Sequence, residues 1–302
     1  MSTILGMGFE VTSVNGEFAS IEEELGILAD IGADYAEISL TSIDLIAGGR
    51  IIPDRRARLK ACTKAFDLKY TVHGLVSSNF MDPDTCGYQL DAAKALVQLC
   101  DDIGSRILVQ HGGSLRANQL AERGDADRRE REALAELADF AKGYGVRIAL
   151  ENIFTGEAGQ YRQTPSQLAD TVRAVDHPNL MALIDFSHAY IEATYRGLDF
   201  YAEIAAMAPV TGHLHVHDSF GRPQRFFKPY FPAENTALGI GDLHMPLGWG
   251  DIDWQRIFTE FTFLPDTVLL MEIDRRYRAE QPQSLAIARD LKTLYESKNT
   301  SA

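Results

Sequence analysis

Short apolar runs alternate with longer segments of helical periodicity along almost the whole chain. Turn-forming residues bound each apolar run, which is typical of buried β-strands. The pattern predicts eight strands, at residues 4–11, 34–40, 69–74, 106–111, 146–152, 180–185, 212–217 and 267–273. A segment with helical periodicity follows each strand, so the chain consists of eight predicted strand–helix units.

Some predicted helices begin with recognisable capping residues. Ser20 precedes Glu23 by three residues and Thr164 precedes Gln167 in the same way, so both pairs predict a capping box. Eight strand–helix units predict an α/β fold, a closed (βα)8 TIM barrel with a parallel sheet. The alternative is an open Rossmann-type sheet, which would need a glycine-rich turn after the first strand. The chain has no such turn there, since Gly16 is followed by Glu and Phe.

One long segment interrupts this alternation. The 302 residues contain no linker or low-complexity stretch, so we expect a single TIM-barrel domain, 1–302, with a loop insertion at about 218–250. The insertion has no helical pattern, and loops of that length inside a compact domain are usually functional or disordered. Residues 219–241 are a candidate lid, or a surface that packs between subunits of a homo-oligomer. Basic and aromatic side chains are frequent there: Arg222, Arg225, Phe226, Phe227, Lys228, Tyr230 and Phe231.

Composition narrows the class of partner. The formal net charge of -14 argues against a nucleic-acid partner, because an acidic surface repels phosphates. The three cysteines form no Cys-x-x-Cys pair and no disulfide framework, which fits a reducing compartment. The sequence has no signal peptide and no apolar run long enough to span a membrane. We therefore expect a cytoplasmic protein with no membrane partner.

Residues that bind metals occur where six successive predicted strands end. The active site of a TIM barrel lies at the C-terminal ends of its strands, so these side chains would meet at one mouth. They are His73, His111, Glu151, Asp185, Glu272 and, on strand seven, one of His213, His215 and His217. Imidazole and carboxylate together suit zinc, manganese, cobalt or iron. The spacing therefore predicts a divalent-metal site and, with it, a metal-dependent enzyme.

The predicted ligands can be divided among up to three ions. One ion would have four ligands: Glu151, Asp185, His215 and Glu272. A second ion would share the bridging carboxylate of Glu151 and add His73 and His111. A third would use Asp242 and His244, which point the same way on an extended segment, together with His188. Strand seven also carries His213, expected to be buried structure, and His217, expected to orient a ligand. We choose His215 as the ligand partly from the resemblance described below.

The chain resembles the xylose isomerase-like TIM barrel superfamily, which includes the sugar phosphate isomerase/epimerase group and the endonuclease IV enzymes (AP endonuclease family 2). The resemblance covers nearly the whole chain. Four motifs carry it: Ala-Leu-Glu151-Asn, Ile-Asp185-Phe-Ser-His188, Gly-His-Leu-His215-Val-His-Asp and Asp242-Leu-His244-Met-Pro-Leu-Gly-Trp-Gly-Asp-Ile-Asp. As a set these motifs are specific for the superfamily, but not for one reaction.

Similarity to the ketose 3-epimerases implies one metal ion held by the four ligands named first. It also implies that Glu151 and Glu272 are catalytic and move a substrate proton. By the same resemblance His188 and Glu157 contact the sugar. The arginine that these enzymes carry six residues after the metal-binding histidine is missing, because Gly221 occupies that place and Arg222 follows it.

Similarity to endonuclease IV implies three zinc ions and phosphodiester cleavage. All nine of that family's ligand positions are matched: His73, His111, Glu151, Asp185, His188, His215, Asp242, His244 and Glu272. Clustered metals activate water and bind both the attacking and the leaving oxygen. However, enzymes that act on DNA need basic surface, which this chain lacks apart from the insertion.

The sequence thus predicts a metal-dependent isomerase or epimerase that acts on a sugar, sugar phosphate or related polyol by proton transfer. The alternative is a multinuclear phosphodiesterase or hydrolase for a small substrate, and a non-enzymatic binding barrel is a third reading. The expected cofactor is zinc, manganese, cobalt or magnesium, with one to three ions. We further expect Arg222 and Arg225 to bind an anionic group of the substrate, and Trp249 to line its pocket.

Overall fold

The computed structural model describes residues 3–224 and 229–300. Within this part of the chain, eight parallel strands close a barrel. We number them in chain order: β1 Ile4–Val11, β2 Tyr35–Ser39, β3 Lys69–His73, β4 Ile107–His111, β5 Arg147–Glu151, β6 Leu180–Asp185, β7 Thr211–Val216 and β8 Thr267–Met271. Each strand pairs with its neighbour in sequence, and β1 pairs with β8. The prediction of a (βα)8 TIM barrel is confirmed.

Ten α-helices are assigned in the same described residues. They are α1 Phe18–Asp30, α2 Pro53–Lys64, α3 Cys86–Asp102, α4 Arg123–Lys142, α5 Pro165–Val175, α6 Phe186–Arg196, α7 Phe200–Met207, α8 Pro232–Leu238, α9 Trp254–Glu260 and α10 Gln281–Thr300. The main apolar core fills the layer between strands and helices, and a smaller cluster that includes Val109, Leu183 and Leu270 belongs to the strands themselves. None of the helices described is long and apolar enough to cross a membrane.

One of the two predicted capping boxes is confirmed. The Thr164 hydroxyl accepts the backbone N–H of Gln167, whose side chain accepts the N–H of Thr164 in return, and α5 begins there. The box predicted at Ser20 is wrong, because α1 begins earlier, at Phe18. Ser20 therefore lies inside the first turn, where its hydroxyl donates to the carbonyl of Glu17.

The insertion contains a helix that the sequence pattern did not predict. This helix, α8, begins with a proline and ends at Gly239, whose φ of 63° closes it in the left-handed conformation. The segment that follows β8 holds α8 in place. Thr236 of α8 hydrogen bonds to the Tyr277 hydroxyl at 3.0 Å and accepts from Arg276 at 3.2 Å.

Candidate metal centre

Four of the predicted ligands, here called the quartet, converge at the C-terminal mouth of the barrel. They are Glu151, Asp185, His215 and Glu272, and each is buried. One ligand atom from each lies within 4.8 Å of those of the other three. His215 Nδ1 is 3.1 Å from Glu272 Oε1 and 3.5 Å from Glu151 Oε1. The side chains that end four consecutive strands therefore face one small volume.

Asn152, which directly follows β5, keeps the ends of β5 and β6 in register through its side chain. Its side-chain amide donates to the carbonyl of Asp185 at 2.9 Å, and its side-chain oxygen accepts the N–H of the same residue at 3.0 Å. Asp185 in turn caps α6, since its Oδ1 accepts the backbone N–H of His188 at 2.7 Å. These bonds fix Asp185 from both sides and leave its Oδ2 3.1 Å from His217 Nε2.

Two histidines extend the quartet beside Glu151. His111 Nε2 is 3.2 Å and His73 Nε2 is 3.6 Å from Glu151 Oε2, and these three residues form a second group able to hold an ion. The other carboxylate oxygen, Oε1, faces His215. Glu151 thus presents one oxygen to each group, which is the arrangement that a bridging carboxylate requires.

The predicted third set meets at the carboxylate of Asp242. Its Oδ2 is 3.2 Å from His188 Nε2 and 2.8 Å from His244 Nε2. His244 has a φ of 45°, a left-handed conformation that is unusual outside glycine and that clusters at functional sites. In addition, the His244 ring stacks on His217, and the two lie with Glu272 in a further group of potential ligands.

Sequence reasoning missed one buried carboxylate, that of Glu37 on β2. It accepts hydrogen bonds from Nε2 of His213 and Nε2 of His215, both at 2.8 Å, and from the Thr71 hydroxyl at 2.7 Å. The available signal was a charged residue between Ala36 and Ile38 in a predicted buried strand. A charge in such a position is rarely buried unless it is paired.

Comparison with known proteins gives the family. A sequence profile described as xylose isomerase-like TIM barrel matches residues 25–296. The chain belongs to this family. The uncharacterized protein MJ1311 of Methanocaldococcus jannaschii is 26% identical over 188 residues, a match that covers 58% of this chain and 58% of that protein. The chain therefore spans little more than half the length of this curated relative.

Solved structures similar to this xylose isomerase-like barrel match over almost the full chain. A D-tagatose 3-epimerase-like protein has a TM-score of 0.71 at 18% identity, covering 97% of this chain and 99% of that one. A D-psicose 3-epimerase crystallised with D-fructose has 0.67 at 14%, covering 95% and 99%. The IolI protein with a bound zinc atom has 0.67 at 19%, covering 97% and 99%. At these identities the likeness concerns the fold.

The carboxylates and imidazoles at the mouth of this family member shift one another's pKa values. Burial alone would raise the pKa of Glu151, but His111 and His215 outweigh it and lower that pKa well below its ordinary value. Burial raises the pKa of Glu272 to about 8, although His215 opposes the shift. Burial would lower the pKa of His73, but the nearby glutamates raise it to about 10. Carboxylates close enough to raise the pKa of a buried imidazole, as at His73, also attract a divalent cation.

Buried donor atoms at the centre fit a metal ion. Among the residues described, Glu151 Oε2, His215 Nδ1 and His217 Nδ1 are buried and form no hydrogen bond of normal geometry, although His111 Nε2 lies 3.2 Å from the first and Glu272 Oε1 lies 3.1 Å from the second. Leaving such an atom unsatisfied costs about 1–3 kcal/mol, so native proteins rarely do so without a reason. Nitrogen and carboxylate donors within a few ångströms of one another suit zinc, manganese or cobalt. The donor set therefore fits a divalent metal.

The side chains predicted to bind substrate are spread around the mouth. The ring of His188, one of these side chains, lies 5.1 Å from the ring of Phe154. Glu157 is exposed on the loop after β5 and lines a cavity of about 440 Å³ that Arg116 also borders. Trp249 is 47% exposed. Glu157 and Trp249 are accessible to a ligand, whereas His188 is buried, and of the three only His188 touches the quartet in the contacts described.

Of the two arginines predicted to bind an anion, only Arg222 lies within the described residues. The Arg222 guanidinium donates to the carbonyl of Leu238 at 2.7 Å and lies over the ring of Phe220. It is thus engaged in holding the insertion together, next to the C-terminus of α8. Arg225 lies outside the described residues, as do the neighbouring Phe226, Phe227 and Lys228.

Proposed function

We propose that the protein is a divalent-metal-dependent isomerase or epimerase that acts on a sugar, sugar phosphate or related polyol. The observation that carries the proposal is the pair of buried glutamates, Glu151 and Glu272, whose carboxylates lie 3.5 Å and 3.1 Å from His215 Nδ1. Two carboxylates at one small site can take a proton from a carbon and return one to it. Similarity to solved structures of sugar 3-epimerases and of IolI supports the same class.

A divalent ion in the quartet would polarise a substrate carbonyl and the hydroxyl beside it. Glu151 and Glu272 then act as general base and general acid at the carbon next to that carbonyl. We propose that His188, Glu157 and Trp249 contact the substrate: His188 beside Glu151, Glu157 from the loop after β5, and Trp249 as an exposed aromatic surface. Aromatic rings commonly line ligand pockets together with a few placed polar groups.

The phosphodiesterase alternative has weaker support. In its favour, His73 and His111 approach the free oxygen of Glu151, and Asp242 approaches His188 and His244. Against it stand the acidic composition and the similarity to solved sugar epimerases. The number of metal ions per chain, measured by elemental analysis, separates the two: one ion favours proton transfer, and two or three favour hydrolysis.

Exchange with deuterated water tests the proposal. The protein is stripped with a chelator, reloaded with manganese, cobalt, magnesium or zinc, and incubated in D₂O with a panel of ketoses and ketose phosphates. We expect deuterium at the carbon beside the carbonyl, detected by NMR, with at least one substrate and metal. The variants Glu151→Gln and Glu272→Gln should each slow exchange by about 100-fold or more, since general acid–base catalysis contributes about 10²–10⁴.

Glu192→Gln is the matched control, because Glu192 is a buried, hydrogen-bonded glutamate on α6 outside the quartet. This variant should exchange at the wild-type rate. Absence of exchange across the panel, together with cleavage of a phosphodiester by the metal-loaded protein, would refute the proposal and favour the hydrolase.

A further inference from the structure

A fully buried carboxylate lies against the inner side of the quartet. Glu37 is 0% exposed, and its Oε1 and Oε2 accept from His215 Nε2 and His213 Nε2 respectively. Oε2 also accepts from the Thr71 hydroxyl. Two imidazoles and a hydroxyl are therefore its hydrogen-bond partners, and none of these is a lysine or arginine that would balance its charge.

This arrangement determines which nitrogen of His215 is available to a metal. A neutral imidazole has one protonated and one unprotonated nitrogen, and the hydrogen bond of one fixes the role of the other. Because Nε2 donates to Glu37, Nδ1 carries the lone pair. Nδ1 is also the atom that faces Glu272 and Glu151 and that lacks a hydrogen-bond partner among the described residues.

We propose that Glu37 is a positioning residue, which fixes the tautomer and ring orientation of His215 and thereby sets the affinity of the centre for its metal ion. This inference rests on the metal dependence in the proposed function. Carboxylate partners of metal-binding histidines also increase the basicity of the imidazole, and their loss typically weakens metal binding by about 10- to 100-fold. The charge of Glu37 would be balanced, through the ring, by the metal.

Direct ligation by Glu37 is the competing role. A carboxylate oxygen of Glu37 lies within 4.8 Å of ligand atoms of His73, His215 and Glu272. However, each of its oxygens already accepts a hydrogen bond at 2.8 Å or less. To bind a metal, Glu37 would have to give up one of these bonds, and His215 would then lose the partner that orients it.

The test measures Co²⁺ binding to metal-free protein and needs no substrate. Affinity comes from competition with a chromophoric chelator, and the visible absorption of bound Co²⁺ reports its coordination. Glu37→Gln keeps the shape of the side chain but removes the charge, and should weaken binding about 10- to 100-fold with the same absorption intensity. Glu37→Asp keeps the charge but withdraws it from both imidazoles, so it should weaken binding in the same direction. Glu192→Gln should bind as wild type does.

Circular dichroism and thermal melting identify any variant that fails to fold. If Glu37→Gln does not fold, Glu37→Asp still tests the inference. Wild-type affinity in either folded variant would overturn the inference. A changed absorption intensity would also overturn it, because that result makes Glu37 a ligand. Failure of the wild type to bind Co²⁺ overturns the inference and the metal dependence together. Weakened binding without deuterium exchange on any sugar would leave the inference standing while the proposed reaction fails.

Discussion

The carboxylate of Glu130 on α4 is buried, and among the described residues only one of its two oxygens forms a hydrogen bond. Its Oε1 accepts the backbone N–H of Gly113 at 2.6 Å, while Oε2 has no hydrogen-bond partner among the described residues. Burial raises the pKa of Glu130 to about 7 from an ordinary value of 4.5, although the Gly113 bond opposes the shift. The substitution Glu130→Gln keeps the acceptor for Gly113 and removes the ionisable group.

The sign and size of the effect follow from linkage. The folded state holds the proton more tightly than the unfolded state, so the stability contributed by protonated Glu130 is fully present below about pH 4.5. It is lost as the pH rises through about 7. The full difference amounts to about 3 kcal/mol of unfolding free energy, at about 1.4 kcal/mol per pKa unit. About 2.5 kcal/mol of it should appear between about pH 5 and about pH 8.

Urea denaturation of chelator-treated protein at these two pH values measures the effect. We expect the Glu130→Gln variant to gain stability relative to wild type by about 2.5 kcal/mol on going from the lower to the higher pH. Equal differences at both pH values would refute the reasoning. That result would mean that Glu130 stays ionised throughout, with the charge of the partly buried Arg162 lowering its pKa.

Two further predictions concern a closely packed glycine in the barrel and the three cysteines. A Cβ at Gly8 would lie 1.7 Å from a backbone carbonyl of β2, so Gly8→Ala should destabilise the fold by more than about 4 kcal/mol in denaturant melts, whereas Gly87→Ala, with open space around it, should cost little. In native protein a thiol reagent should modify only Cys86, which is half-buried, because Cys62 and Cys100 are buried. Burial raises the pKa of all three thiols, so access to the reagent decides which one reacts. Rapid reaction of more than one thiol per folded chain would contradict this.

The strand ends could be predicted from sequence because their signals are local. Each quartet residue lies within or directly after a short apolar run, so the pattern that predicts the strand also marks the ligand. Their convergence then follows from the parallel barrel alone, since all C-terminal strand ends meet at one mouth. Helix α8 gave no such signal. It has only seven residues and too few apolar side chains to show a helical period, so its sequence resembles that of a loop.

The role of Glu37 depends on contacts that no local pattern contains. Its imidazole partners are 176 and 178 residues away in sequence, across the interior of the barrel. A charged residue in an apolar strand indicates that a partner exists, but not where it lies. Ser20 shows a different limit of local patterns. Its spacing to Glu23 suits a capping box, but the helix had already begun at Phe18.

The three histidines on β7 and directly after it have different partners because they lie at different depths in the barrel. His213, His215 and His217 alternate with apolar residues and so share one face of the strand. Side chains inside a TIM barrel stack in layers, so successive inward positions meet different partners. His213 and His215 both contact Glu37, but of these two only His215 belongs to the quartet, whereas His217 contacts Asp185, another member of the quartet. Spacing therefore predicts the shared face, while the layer that each histidine occupies depends on the stagger of strands distant in sequence.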